Sequence, residues 1–142
     1  MQNASTLQFL LTLAKGIASQ FGPNCEVVVH DLATNDPERS IVAIENGHVT
    51  GRKVGDGPSH VVLEALRGNP EQLHDHLSYL TRTKDGKILK STTIYIRDDD
   101  GAPIGIFGIN YDITLMLAME NAIKHFTATE KDEKEPEREG GG

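Results

Sequence analysis

Apolar and polar residues recur along this chain with two periods, and each period predicts a different element. Between Ser5 and Phe21 the apolar residues return every third or fourth position, which is typical of one stripe of an α-helix. A second stripe of this kind runs through residues 113–126. A shorter helix is predicted from Pro58, a favourable first helical residue, to Gly68, which suits a helix C-terminus.

Runs that are rich in β-branched residues predict five strands. CEVVVHDL and SIVAIENG, residues 25–32 and 40–47, form the first two. The last third of the chain holds three further runs, separated by Asp85-Gly86 and Asp100-Gly101. Asp-Gly turns between such runs favour an antiparallel meander of three strands. Helices clustered between a strand pair and a meander indicate an α+β fold and not a doubly wound parallel sheet.

Three segments resemble the YheO-like PAS family, the sensory half of certain bacterial transcriptional regulators. They are GPNCEVVVHDL, SIVAIENGHVTGRKVGD and LKSTTIYIRDDDGAPIGIFGINYDIT, which begin at Gly22, Ser40 and Leu89. The resemblance implies a five-stranded antiparallel sheet with helices on one face and flanking N- and C-terminal helices. It places the domain at residues 1–128 and leaves residues 129–142 as a charged, disordered tail or linker.

The charge of the chain is unfavourable for nucleic-acid binding. With 14 basic and 21 acidic residues, the net charge is −7, whereas binding to a phosphate backbone requires clustered Lys and Arg. Relatives in the family usually continue into a C-terminal helix-turn-helix, but only the charged tail follows Phe126. We therefore expect contact with DNA only through a helix-turn-helix that is absent from this chain.

Cellular location follows from two further features. The single cysteine, Cys25, suits a reducing compartment and is interpreted as a small buried hydrophobe. The chain has no run of about 18 apolar residues and no positively charged region before an apolar core at its N-terminus. A cytoplasmic protein without a membrane partner is expected.

Motifs of the common enzyme and metal-site classes are missing. G-x-S-x-G, P-loop, G-x-G-x-x-G and H-E-x-x-H patterns do not occur, so neither a catalytic residue nor enzyme activity is expected. We interpret His74-Asp75-His76 as a solvated stretch and not as a metal site, and His60 as a helix residue and not as a haem ligand. The run of Asp98 to Asp100 is explained as a turn. The pattern identifies no cofactor.

Polar residues inside the strands are the candidates for ligand contact. Ser91 and Thr93 point to one face of their strand, and Asn110 interrupts an apolar strand. His30 near the end of the first strand and Arg52 in a glycine-rich loop complete the set. We expect them to contact a small polar metabolite between the sheet and residues 48–76. The alternative is that these groups, Asn110 above all, satisfy hydrogen bonds of the protein itself.

The last helix carries more apolar residues than one core-facing stripe needs, namely Leu115, Met116, Leu117 and Met119. This surplus predicts a homodimer with one or both terminal helices at the interface. The function predicted is therefore a ligand-responsive sensor and dimerisation domain. The alternative is a constitutive dimerisation module whose pocket is filled by its own side chains, and an internal cavity of about 300 Å³ or more with convergent polar groups would distinguish the two.

The junction Asp112-Ile113-Thr114 joins a strand directly to the last helix. Asp112 or Thr114 can cap that helix, at a gain of roughly 0.5–2 kcal/mol. A ligand that presses on the strand could shift the helix angle, which would make the junction a signal output. An ordinary cap without a signalling role remains the alternative.

Overall fold

The computed structural model describes residues 4–33 and 36–130, which form a layered α+β domain. The helices and strands are α1 Ala4–Phe21, β1 Cys25–Asp31, β2 Ile41–Glu45, α2 His60–Leu66, β3 His76–Arg82, β4 Ile88–Arg97, β5 Pro103–Asp112 and α3 Thr114–Thr127. Single turns of 3-10 helix lie at Pro37–Arg39, Gly47–Val49 and Pro70–Gln72. The sequence patterns therefore predicted the order of the elements correctly.

The five strands form one antiparallel sheet in the order β2-β1-β5-β4-β3. The predicted meander is confirmed, because β3, β4 and β5 pair in sequence through two tight turns. Gly86 and Gly101 lie in these turns with φ angles of +93° and +86°, a region that glycine enters without steric cost. This is the sheet that the resemblance to PAS domains implies.

Helix α1 covers one face of the sheet, which is called the α1 face below. Val27 and Val29 of β1 and Phe107 of β5 pack there against Leu10 and Ala14, and all five are at most 5% exposed. The small side chains of α1 allow a close approach to the strands. Burial of this apolar surface is the main contribution of α1 to folding.

Helix α2 lies on the opposite side of the sheet. Its Val62 and Leu66 pack against a small core of Leu73, Tyr95 and Ile106. The helix begins at His60 and not at Pro58, so the predicted start was two residues early. Ser59 is the N-cap, and its hydroxyl accepts a hydrogen bond from the Val62 N–H at 3.4 Å, which makes Pro58 part of the preceding loop.

Helix α3 leaves the sheet at Asp112 and exposes most of its surface. From Ala118 to Thr127 every residue is exposed, including Ile123 at 62% and Phe126 at 90%. Of the expected charged tail, residues 131–142 lie outside the described residues. Within the part of the chain that the structure describes, no helix has both the length and the apolar character needed to cross a bilayer.

Candidate functional site

A cleft of about 1350 Å³ lies between the sheet and the segment that contains α2. Four of the five residues predicted to contact a ligand line it: His30, Arg52, Thr93 and Asn110. The fifth, Ser91, lies on the same face of the sheet but is 1% exposed and is not a lining residue. This side of the sheet is called the cleft face below.

The register of the strands explains why these residues meet. Asn110 in β5 lies opposite Ser91 in β4 and opposite Glu26 in β1, so the three form one row across the sheet. In the next row Gly108 lies between Val28 and Thr93. A Cβ at Gly108 would lie 2.9 Å from the Val28 Cγ1, closer than a Cβ normally approaches another atom. A larger residue at this position would therefore require Val28 to shift.

Glu26 is a site residue that the sequence reasoning missed. It is fully buried, and its carboxylate accepts hydrogen bonds from the Thr50 N–H at 3.1 Å, the Thr50 hydroxyl at 2.6 Å and the Asn110 amide at 2.8 Å. Three donors compensate for much of the desolvation of a buried carboxylate. The available signal was an acidic residue in the otherwise apolar start of CEVVV.

The bond to Glu26 also fixes the orientation of the Asn110 amide. The Asn110 Nδ2 donates to the Glu26 Oε1, so the NH₂ group of Asn110 faces the carboxyl group and its Oδ1 points away. The Asn110 Oδ1 then has no hydrogen-bond partner among the described residues, although Asn110 lines the cleft. One end of the Asn110 amide is thus satisfied within the protein, as the alternative expected for it has it, and contact of the other end with a ligand stays a prediction.

The loop that carries Arg52 is held against the sheet by hydrogen bonds of Thr50 and of Lys87. Thr50 binds Glu26, and its Oγ1 also accepts the Arg52 N–H at 3.3 Å. Lys87 donates to the His48 and Val49 carbonyls, each at 3.1 Å. A Cβ at Gly47 would lie 2.6 Å from the Arg52 carbonyl oxygen, so glycine permits the loop to close. The backbone of Arg52 is therefore fixed.

His30 is buried at the cleft, and its Nδ1 lies 2.8 Å from the Ser40 hydroxyl. Burial, and to a smaller extent the positive charge of Arg52, together lower the pKa of His30 to about 4. The imidazole is therefore neutral near pH 7. It adds a hydrogen-bonding group to the cleft without adding a charge.

Hydroxyl groups are paired on the cleft face near β3. The Thr93 hydroxyl lies 2.7 Å from the Tyr79 hydroxyl, and the Ser91 hydroxyl lies 2.8 Å from that of Thr81. A bonded hydroxyl retains one further donor or acceptor site. Thr93 and Tyr79, which both line the cleft, can therefore still contact a ligand.

The stretch His74-Asp75-His76 also lines the cleft, but each residue has a different environment. Asp75 accepts a hydrogen bond from the Tyr95 N–H at 2.9 Å, and the His76 ring stacks on Tyr79 with the centroids 3.9 Å apart. Among residues 4–33 and 36–130, no group of three or more His, Cys, Asp or Glu side chains is arranged to hold a metal ion.

The joint between β5 and α3 is a compact set of hydrogen bonds. The Asp112 Oδ1 accepts from the Thr114 N–H at 3.0 Å and from the Thr114 hydroxyl at 2.6 Å. The same hydroxyl oxygen accepts the Ile88 N–H at 2.9 Å, and the Ile113 N–H donates to the Ile88 carbonyl. The start of α3 is therefore bonded to the end of β5 and to the start of β4.

Comparison with known proteins agrees with this architecture. The family model described as "YheO-like PAS domain" matches residues 1–128. An uncharacterised protein of Haemophilus influenzae is 35% identical over 81% of the chain and 50% of its own length. YheO of Escherichia coli K12 is 38% identical over 69% of the chain and 40% of its own length.

A further relative has a descriptive name. The transcriptional regulator DauR of Pseudomonas aeruginosa is 29% identical over 89% of this chain and 56% of its own length. The chain thus spans about half the length of the curated relatives it matches. With a family model that covers nearly all of it, the chain belongs to the YheO-like PAS domain family.

Proposed function

We propose that this chain is the sensory, small-ligand-binding and dimerisation domain of a transcriptional regulator. The observation that carries the proposal is the cleft, where polar groups from three strands and a fixed loop converge on one space of about 1350 Å³. That volume exceeds the few hundred Å³ that small-molecule sites need. It favours a ligand-responsive sensor over a module whose pocket is filled by its own side chains.

The arrangement of the polar groups supports a specific ligand site. Glu26 holds Asn110 and the Thr50 loop in fixed positions, while the Asn110 Oδ1 and the Arg52 guanidinium have no partner among the described residues. Fixed groups with unused hydrogen-bonding capacity are favourable for binding, because little ordering is needed when the ligand arrives. Val28 and Ile106 add apolar contact area.

Dimerisation is supported by apolar surface on both terminal helices. The outer side of α1 forms a groove of about 320 Å³ that includes Phe9 and Phe21, which are 64% and 59% exposed. On α3, Leu115, Met119 and Ile123 are each more than half exposed. Contiguous apolar surface of this kind is typical of an interface. We propose a homodimer in which these helices are covered.

The joint at Asp112 offers a path from the cleft to α3. β5 contributes Asn110 to the cleft and ends two residues later at Asp112, whose carboxylate holds the first residue of α3. A ligand that binds two positions of β5 with different affinity would shift the population of the two α3 positions. In a transcriptional regulator, which is how DauR is described, a DNA-binding segment would receive that change.

Native mass spectrometry of the purified chain, compared with its denatured mass of 15.5 kDa, tests both parts of the proposal. We expect twice the chain mass plus a small retained molecule that is lost on denaturation. Ile123→Glu should yield monomers, whereas Lys124→Glu, the matched control one residue along, should leave the dimer intact. A chain that stays monomeric and binds no member of a metabolite library in a thermal-shift screen would contradict the proposal.

A further inference from the structure

Arg52 is a cation in the cleft without an anionic partner. The ion pairs among the described residues join Arg39 to Asp36, Lys53 to Asp56 and Lys87 to Asp85. No described carboxylate lies within 4.0 Å of the Arg52 guanidinium, and no hydrogen bond uses its side chain. The side chain is nevertheless only partly exposed and lines the cleft.

Glu26 is bonded to Thr50 in the loop that carries Arg52, but its carboxylate does not pair with Arg52. Both of its oxygens accept hydrogen bonds, from Thr50 on one side and from Asn110 on the other. Through Thr50, however, Glu26 fixes the backbone of Arg52. The same carboxylate therefore positions Arg52 without pairing with it, and the positive charge remains available to the cleft.

The other cations at the cleft are accounted for. Lys87 pairs with Asp85 at 3.7 Å and donates to two carbonyls of the loop. Arg82 and Lys84 lie at the exposed rim, where water screens their charges. Arg52 is thus the partly buried cation of this cleft that needs an anion, and a planar guanidinium matches a carboxylate in a bidentate arrangement.

We propose that the cleft binds a small organic acid whose carboxylate pairs with the Arg52 guanidinium. A second polar group of the same molecule, a hydroxyl or ammonium, donates to the free Asn110 Oδ1. This inference rests on the proposed function and names the class of its ligand. A carboxylate fits better than a phosphate ester, because one partly buried cation balances one negative charge and would leave part of a dianion uncompensated.

Titration calorimetry on the whole chain tests this with matched compounds. The probes are small α-hydroxy and α-amino acids, each beside its carboxamide and beside a phosphate ester of similar size. We expect an acid to bind and its amide to bind roughly ten- to hundredfold more weakly, which corresponds to the loss of a charge-assisted bond.

Arg52→Gln should weaken binding of the acid by a similar factor and leave binding of the amide unchanged. The matched control is Arg67→Gln, which removes the same charge from an exposed residue outside the cleft and should change neither affinity. Thermal unfolding of both variants verifies that they fold.

The outcomes separate this inference from the proposed function. Binding of amides or phosphate esters as tightly as acids, or an acid affinity unaffected by Arg52→Gln, would overturn the carboxylate and leave a ligand-binding domain. Absence of binding by any probe, together with no retained molecule in native mass spectrometry, would overturn both.

Discussion

The two faces of the sheet are built from the same strands but differ in chemistry. On the α1 face, β1 and β5 present Val27, Val29 and Phe107, which are closed off by a helix. On the cleft face the alternate residues of β1 are Glu26, Val28 and His30, and both polar side chains are almost completely buried. Burial alone therefore does not distinguish a core from a binding surface.

The two faces differ in whether their buried side chains need hydrogen-bond partners. Residues of the α1 face gain free energy from being removed from water and need no specific partner. On the cleft face each buried polar group needs a partner, and Glu26, His30 and Ser91 have one in Thr50, Ser40 and Thr81 respectively. One face therefore stabilises the domain, while the other carries a fixed polar arrangement that opens onto the cleft.

The largest effect is expected on the α1 face. Phe107→Ala should lower the free energy of unfolding by about 3–5 kcal/mol, because the cavity would lie in a core sealed by α1. Its strand neighbour Ile106 is equally buried but borders the cleft. Ile106→Ala should lower the free energy of unfolding by about 2 kcal/mol, near the lower limit for this substitution, because water from the cleft can fill the space that the side chain leaves. Urea denaturation measures both, and an equal or larger loss for Ile106→Ala would erase the proposed difference between the faces.

The second prediction is that the stability of the folded chain depends on pH through His30 on the cleft face. The pKa of His30 is about 4 in the folded chain, against an ordinary value of 6.5. Below pH 6.5 the unfolded chain takes up a proton that the folded chain excludes. Stability is therefore fully present above pH 6.5, falls as the pH drops, and reaches its full loss below about pH 4. The loss amounts to roughly 3 kcal/mol.

Denaturation curves between pH 7 and pH 4 measure this slope. His30→Asn, which can keep the contact with Ser40 but cannot take up a proton, should remove His30's share of the slope. The matched variant His60→Asn, at an exposed histidine, should leave the slope as it is. If His30→Asn retains the slope of the unmodified chain, the acid sensitivity originates elsewhere.

Alternation along the strands was sufficient to predict the two faces. The shared face of Ser91 and Thr93 follows from a period of two, and the register, which places Asn110 opposite Ser91 and Gly108 opposite Thr93, confirms it. The meander followed from the two Asp-Gly turns. These features depend on local backbone geometry, which is determined by residues close together in the sequence.

Contacts between distant segments could not be predicted in this way. Glu26 and its partner Thr50 are separated by 24 positions, which include most of β1 and all of β2, and the period of a strand does not indicate which distant residue a side chain will meet. The absence of a partner for Arg52 is likewise a property of the assembled cleft and not of its sequence. The start of α2 was misplaced because Pro58 and Ser59 both favour a helix start, and only the observed cap distinguishes them.

The smallest loss of stability is expected from a substitution at Asp112, the last residue of β5. The N-cap residue of α3 is Ile113, which makes no side-chain cap bond, so Asp112 precedes the cap and bonds Thr114 across it. Asp112→Ala removes the acceptor for the Thr114 N–H and hydroxyl, and should lower the free energy of unfolding by about 1 kcal/mol, the usual net contribution of a hydrogen bond. Hydrogen exchange should accelerate at the first residues of α3 and leave the amides of Val27 and Val29 unchanged.

Thr114→Val is the companion variant, because it keeps Asp112 but removes the oxygen that accepts the Ile88 N–H. If Asp112 only holds the first residue of α3, Asp112→Ala loosens α3 alone. If the joint couples the sheet to the helix, exchange should also accelerate at Ile88 in Asp112→Ala, which retains the acceptor of the Ile88 N–H, and should approach the rate seen in Thr114→Val, which removes that acceptor. Exchange and stability identical to those of the unmodified chain would show that neither hydrogen bond holds α3 to the sheet.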